Sequence, residues 1–285
     1  MRNVLTPAEI ATYREAGHVA VPDFLSADEL AAWRTAVTAA VSQRGDKKTP
    51  DKDWKSGGED YYDQVFIQRL NLWQDNPAVR ALLLDERIGK ACCDLEGLDG
   101  IRIWHDQALI KAPWANPTAW HLDCPYWSFH HRQAISIWIA LDDATLENGC
   151  MWFVPGTHAT ARYDNVGIGN NQGDLFNLYP EWRSMKSVSA PLPAGGASFH
   201  NGLLAHGAGA NMTPGWRRAM TCAFMPDGAT FNGQANILPQ ALFERFKPGD
   251  VLNDPDQNPL LWSKTGEHRA NLARLRALPV PVRTV

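Results

Sequence analysis

Apolar positions recur with one period in the front part of the chain and with another from about residue 100 onward. The front period is helical. Leu30, Trp33, Val37 and Val41 follow Ser26-Ala27-Asp28-Glu29 at helical spacing, so one stripe of a helix faces a core. Ser26 with Glu29, and Thr6 with Glu9, have the spacing of a capping box, in which a hydroxyl takes the N3 amide and the carboxylate takes the cap's own N–H. Pro7 suits the first helical position and Gly17 is placed to end that helix. Between the two helices His18-Val19-Ala20-Val21-Pro22-Asp23-Phe24 reads as a short strand. Asn76-Pro77 and Asp85-Glu86 predict helices over 77–84 and 86–95. From Gln43 to Asp63 the chain is polar and turn-rich, which predicts a surface loop.

From Ile101 the pattern changes to short apolar runs bounded by Gly, Pro and Asn: 101–104, 108–111, 135–141, 150–154, 196–199 and 219–224. Strands of this kind favour a closed or double-sheet antiparallel architecture. The expected fold class is mainly β with flanking helices, around a double-stranded β-helix (jelly roll, cupin-like) core. A stretch from Thr160 to Lys186, rich in Gly, Asn, Asp and aromatic residues, interrupts the strands as lids and binding loops do. Beyond it, Gln240–Phe246 reads as a helix and the Arg-rich tail after Lys264 carries no motif. The expectation is a single domain, 1–285, with a mainly helical part (1–100), a jelly-roll core (101–230) and a C-terminal extension (231–285).

Composition narrows the function more than the fold. Hydrophobic residues make up 45% and charged residues 20% of 285, with no linker-like stretch dividing the chain. A net charge of −4 leaves no footprint for nucleic acid. No apolar run approaches membrane-spanning length, and Glu9, Arg14 and Asp23 interrupt what would be a signal sequence, so no membrane partner is expected. Five cysteines, Cys92, Cys93, Cys124, Cys150 and Cys222, are an odd number without zinc-type spacing, which fits a reducing, cytoplasmic setting.

Candidate chemistry starts at Trp120-His121-Leu122-Asp123. On an extended segment His121 and Asp123 would project the same way and could hold one ion. An imidazole and a carboxylate, joined by a second imidazole, make the facial triad of non-haem Fe(II) sites. The best source of that second imidazole is Gly195 to Arg218, which holds His200 and His206. Only His206 is followed by Gly-x-Gly-x-Asn and then by an arginine, Arg217, eleven residues on.

Four patches of the sequence, taken in order, resemble the phytanoyl-CoA dioxygenase-like Fe(II)/2-oxoglutarate oxygenases. They are His105-Asp106-Gln107 with Lys111 and Pro113, the Trp120–Asp123 stretch, Asn148 through His158, and His206 through Arg217. The resemblance implies iron ligands at His121, Asp123 and His206, and a 2-oxoglutarate anchor at Arg217. Arginine suits that task because its planar fork can hold a carboxylate by two parallel charge-assisted bonds. The resemblance also points to Gln107, Lys111 and Trp138 as lining the cosubstrate pocket. Relatives often carry a hydroxyl two positions after the distal histidine; Ala208 stands there, and Thr213 is a substitute donor. Relatives that halogenate have a small residue in place of the carboxylate ligand, whereas Asp123 is present, so the implied reaction is hydroxylation or another oxidation. The implied cofactors are Fe(II), 2-oxoglutarate and O2, with a small or medium organic molecule as substrate and with succinate and CO2 among the products. Two other classes stand beside this one: a cupin-type metal enzyme independent of 2-oxoglutarate, and a non-catalytic metal- or 2-oxoglutarate-binding sensor.

Overall fold

The computed structural model describes residues 1–51 and 60–279. The middle of the loop expected over Gln43 to Asp63 lies outside these residues. At its described ends, Arg44 closes the second helix and Tyr61–Gln64 forms a 3-10 turn.

Eleven strands are formed by the described residues. They are β1 (His18–Val21), β2 (Ile67–Leu70), β3 (Gly100–Lys111), β4 (Thr118–His121), β5 (Ile135–Ala140), β6 (Met151–Phe153), β7 (Val188–Ala190), β8 (Ala197–Asn201), β9 (His206–Ala208), β10 (Arg217–Pro226) and β11 (Leu260–Ser263). They pair antiparallel into a large sheet of order β1-β8-β5-β10-β3-β11, with β2 also on β3, and a small sheet of order β4-β9-β6-β7. This is the jelly-roll core that the strand pattern predicts. The front of the chain supplies the helices Pro7–Ala16, Ala27–Arg44, Pro77–Leu83 and Glu86–Glu96 and a single turn of helix at Leu72–Asp75, and both predicted capping boxes are made.

The large sheet is buried on both faces, and strand alternation decides what each face carries. Ile135, Ile137 and Ile139 of β5, Phe199 of β8 and Met220, Cys222 and Phe224 of β10 join Trp33, Val37, Leu83, Ile88 and Leu95 in one apolar cluster with the helices. The residues between them, Ser136, Trp138, His200, Arg217 and Thr221, therefore project toward the small sheet. Burial of the isoleucine face sets the register. A slip of one residue would exchange the two faces and bury the polar set against the helices.

On β3 the faces switch midway. Residues 101–104 and 108–111 belong to one strand, and opposite β10 the partners run Ala223 with His105 and then Phe224 with Ile103, leaving Trp104 as an extra residue. A bulge of this kind re-aims the side chains that follow it. Ile101 and Ile103 pack on the helices, whereas His105, Gln107 and Leu109 face the interior.

The stretch after Lys264, which shows no motif in the sequence, forms a helix within its described residues. Preceding it, β11 joins the large sheet beside β3, and the helix His268–Arg276 buries Leu272 and Leu275 in the main apolar cluster. His268 ties this segment down: Nδ1 accepts the Ser263 N–H at 3.0 Å and Nε2 meets Glu86 Oε2 at 3.0 Å.

Candidate metal centre and active site

His121 ends β4 and His206 opens β9, and the two are cross-strand partners in the small sheet with ring centroids 4.2 Å apart. Each Nδ1 meets a backbone carbonyl, Ala119 O at 2.8 Å and Leu204 O at 2.9 Å. A carbonyl can only accept, so the proton sits on Nδ1 and each Nε2 keeps its lone pair. Burial lowers both imidazoles to about 4, so both are neutral at physiological pH.

The extended geometry expected through Asp123 stops at His121. Asp123 has helical dihedrals (φ −81, ψ −53) at the start of a 3-10 turn, and the chain folds back rather than continuing as a strand. The carboxylate nevertheless converges: Oδ1 lies 3.7 Å from both Nε2 atoms. Ligand atoms of His121, Asp123 and His206 all fall within 4.8 Å of one another. The other carboxylate oxygen is occupied, since Ser136 Oγ donates to Oδ2 at 3.0 Å and His200 Nε2 lies 3.4 Å from it. His200, the other histidine of the 195–218 stretch, thus sits behind the carboxylate on β8 and not among the three converging donors. Burial alone would raise the Asp123 carboxyl, but His206, His200 and His121 hold it well below the usual carboxylate range.

Two chambers meet at this triad. The inner one, about 50 Å³, is bounded by Phe66, Leu109, Trp138, Arg217 and Thr221 among others. Arg217 is 2% exposed, and its Nε and Nη1 are buried with no hydrogen-bond partner. Its guanidinium lies 5.2 Å from the centre of the Trp138 ring. Burial lowers its pKa to about 10, which leaves it charged at neutral pH. Its neighbour Arg218 points to the other face and is neutralised by Asp142 at 2.7 Å.

Gln107, Trp138 and Arg217 are therefore brought together with the triad. Lys111 and Thr213 depart from what the resemblance implied, because both polar groups are satisfied elsewhere and neither lines the inner chamber. Lys111 Nζ donates to Val65 O (3.2 Å) and Asn116 O (2.5 Å), and Thr213 Oγ1 donates to Asn211 Oδ1 at 2.7 Å, within its own turn. Two threonines do line the chamber, Thr118 and Thr221, and the sequence reading missed both; Thr221 shares a strand with the arginine. It is the fourth residue beyond Arg217 on β10, so strand alternation alone puts the two on one face.

The outer chamber, about 350 Å³, opens on the other side of His121 and Asp123. It is walled by Tyr62, Leu70, Tyr126, Trp127, Ile168 and Ile237, with Gln68, His105, Gln107 and Asn236 as its other polar groups. Gln107 borders both chambers and accepts from Gln68 Nε2 at 2.5 Å. Ile168 comes from the loop at Thr160 to Lys186, so that loop reaches the cavity.

A jelly roll with two histidines and a carboxylate at the junction of two chambers, one of them holding a buried unpaired arginine, defines the class of 2-oxoglutarate-dependent non-haem iron oxygenases. The chain belongs to the phytanoyl-CoA dioxygenase (PhyH) family, whose model matches residues 13–219. The mouse phytanoyl-CoA dioxygenase domain-containing protein 1 is 32% identical over 110 residues, covering 37% of this chain and only 38% of that relative. The bovine protein of the same name is 24% identical over 275 residues, covering 82% of this chain and 94% of its own length. The crystal structure of SnoK, a non-haem α-ketoglutarate-dependent carbocyclase from nogalamycin biosynthesis, superposes with a TM-score of 0.74. It is 30% identical and the match covers 90% of this chain and 96% of that one.

Proposed function

We propose that this chain is an Fe(II)- and 2-oxoglutarate-dependent dioxygenase in which His121 Nε2, Asp123 Oδ1 and His206 Nε2 hold the iron and Arg217 anchors the cosubstrate. The supporting observation is the buried, unpaired guanidinium of Arg217 in the chamber beside the triad. A buried cation without a counter-charge is costly. A dianion entering the inner chamber supplies that counter-charge, and a carboxylate can accept from the guanidinium's unpaired N–H groups. Both imidazoles are neutral with Nε2 free, and one carboxylate oxygen is unoccupied, so the donor set fits a hard divalent ion with positions left open. Bound iron supplies the redox chemistry with O2 that couples decarboxylation of 2-oxoglutarate to succinate and CO2 with oxidation of an unactivated C–H bond. The protein's own part is placement and exclusion of water. Trp138, Leu109, Phe66 and Met151 wall the inner chamber against solvent, while Gln107 and Thr221 offer neutral hydrogen-bonding groups.

The substrate is a small or medium organic molecule, and the chain acts as a single domain. The described segment 231–279 contributes to that unit through β11 and through Asn236 and Ile237 at the outer chamber. Among the described residues no helix is long and apolar enough to cross a membrane. The buried thiols of all five cysteines are unbridged, which supports the cytoplasmic reading.

The test is an anaerobic titration of metal-free protein with Fe(II) and then 2-oxoglutarate. The visible charge-transfer band of the chelate is expected, followed by succinate release once O2 and substrate are added. If iron binds but no band forms, the 2-oxoglutarate reading fails and a cupin-type metal enzyme takes its place.

One prediction follows from the clamp on Asp123. Because Ser136 and His200 hold Oδ2, they aim Oδ1 at the two histidines; groups that orient a ligand in this way are worth roughly 10- to 100-fold in metal affinity. His200→Leu combined with Ser136→Ala is expected to weaken Fe(II) binding by about that factor, and His200→Gln, which keeps a donor, to recover part of it. Competition against a chelating dye measures this, and unchanged affinity in the double variant would remove the clamp from the account.

A further inference from the structure

The two chambers differ in charge. Arg217 gives the inner chamber a cation, whereas no lysine or arginine lines the outer chamber among the described residues. Apart from the triad's own His121 and Asp123, the titratable groups of the outer wall are His105, Tyr62 and Tyr126. Burial holds His105 down at about 4 and pushes the Tyr126 phenol up to about 12, so both are neutral. Burial raises the Tyr62 phenol as well. An anion entering this chamber would find no counter-charge among the described residues, and it would approach the Asp123 carboxylate. A cation would approach a triad already committed to a divalent ion. Either one would lose hydration without gaining a partner.

The chamber's apolar surface is largely aromatic. Trp127 and His105 stand at right angles with centroids 6.2 Å apart, forming a corner, and Tyr62, Tyr126, Leu70 and Ile237 complete the walls. A flat ring system can bury its faces there, and the chamber's volume is in the range of pockets that enclose small organic ligands. One polar group in this corner stands out. His105 is 5% exposed, and its Nδ1 is buried without a hydrogen-bond partner in the protein. The bulge at Trp104 turns this residue inward, away from the helices. A neutral imidazole offers one donor and one acceptor, so it suits a hydroxyl or carbonyl and cannot neutralise a charge.

We infer that the outer chamber binds an uncharged, ring-bearing organic molecule whose hydroxyl or carbonyl group meets His105. This rests on the assignment of the inner chamber to 2-oxoglutarate. It directs substrate searches away from phosphate- and carboxylate-headed compounds and from CoA thioesters, whose diphosphate would have no cationic partner among the described residues of this chamber.

The experiment uses one ring with three charges: 2-naphthol, 2-naphthoate and 2-naphthylmethylamine, with naphthalene as the ring lacking a polar group. Binding to protein loaded anaerobically with Fe(II) and saturating 2-oxoglutarate is measured by equilibrium dialysis. The uncharged naphthol is expected to bind at least about tenfold tighter than either ion, as the cost of burying an unpaired charge requires. His105→Leu should weaken naphthol while leaving naphthalene unchanged. Tyr126→Arg, at the half-exposed rim, should shift the preference toward naphthoate. Naphthoate or the amine binding wild type as tightly as naphthol would overturn the inference, and so would failure of every ring to bind. Failure of the 2-oxoglutarate assignment is seen separately, as absence of the charge-transfer band. Dialysis without 2-oxoglutarate then still tests the outer chamber.

Discussion

Asp123→Ala and Asp123→Asn are both expected to abolish the thermal stabilisation that Fe(II) gives the wild-type protein, and with it all succinate formation. Asp123 brings the only negative charge to a set whose other members are two neutral imidazoles. Its Oδ1 stands 3.7 Å from each Nε2, and among the described residues it is the one carboxylate grouped with the two imidazoles. A ligand that binds only the folded state raises stability by RT ln(1 + [L]/Kd), so the rise in Tm with added metal reads the affinity directly. Loss of the carboxylate should weaken Fe(II) by at least about a hundredfold, or ~2.7 kcal/mol. The rise should vanish at metal concentrations that saturate wild type. The asparagine variant is the sharper one, because it keeps the shape and an oxygen acceptor for Ser136 while removing the charge. If it retains the metal-induced rise, the ion is held elsewhere and the triad is not the centre.

What could be read from the sequence was whatever is set locally. The capping boxes and the Leu30–Val41 stripe need only a few neighbouring residues, and both appear as expected. The long apolar runs gave β5 and most of β10 for the same reason. Strands as short as β9 and β7 hold too few residues to show a period, although β9 carries His206. The bulge at Trp104 depends on how β3 meets β10, which no local pattern records, and it decides that His105 and Gln107 face inward. The dihedrals of Asp123 broke the alternation argument, yet the two side chains still converge because the turn folds the carboxylate back over β4. Lys111 was placed by resemblance at the cosubstrate, and its neighbours Val65 and Asn116 take its donors instead. The outer chamber draws Tyr62, Trp127, Ile168 and Ile237 from four separate segments without any motif. Only folding could reveal that chamber.

Arg217→Met should give a protein that is no less stable than wild type without cosubstrate and nearly unable to bind 2-oxoglutarate. These opposite effects have one cause. In the absence of an anion the guanidinium is buried with Nε and Nη1 unpaired, and the Trp138 ring face at 5.2 Å offsets only part of that cost. A methionine fills much of the volume without the charge, so the metal-free Tm should hold or rise. The arginine repays its burial only when a carboxylate arrives. Removing one partner of a buried, hydrogen-bonded charge pair costs about 2–5 kcal/mol, so the 2-oxoglutarate requirement should rise by roughly a hundredfold or more. Arg217→Lys keeps the charge but loses the fork and should fall between the two. Scanning calorimetry gives the first quantity, and the charge-transfer band titrated with 2-oxoglutarate gives the second. A loss of both stability and binding would show only that Arg217 is structural. Binding within about threefold of wild type would be smaller than one charge-assisted hydrogen bond contributes, and the cosubstrate anchor would have to lie elsewhere.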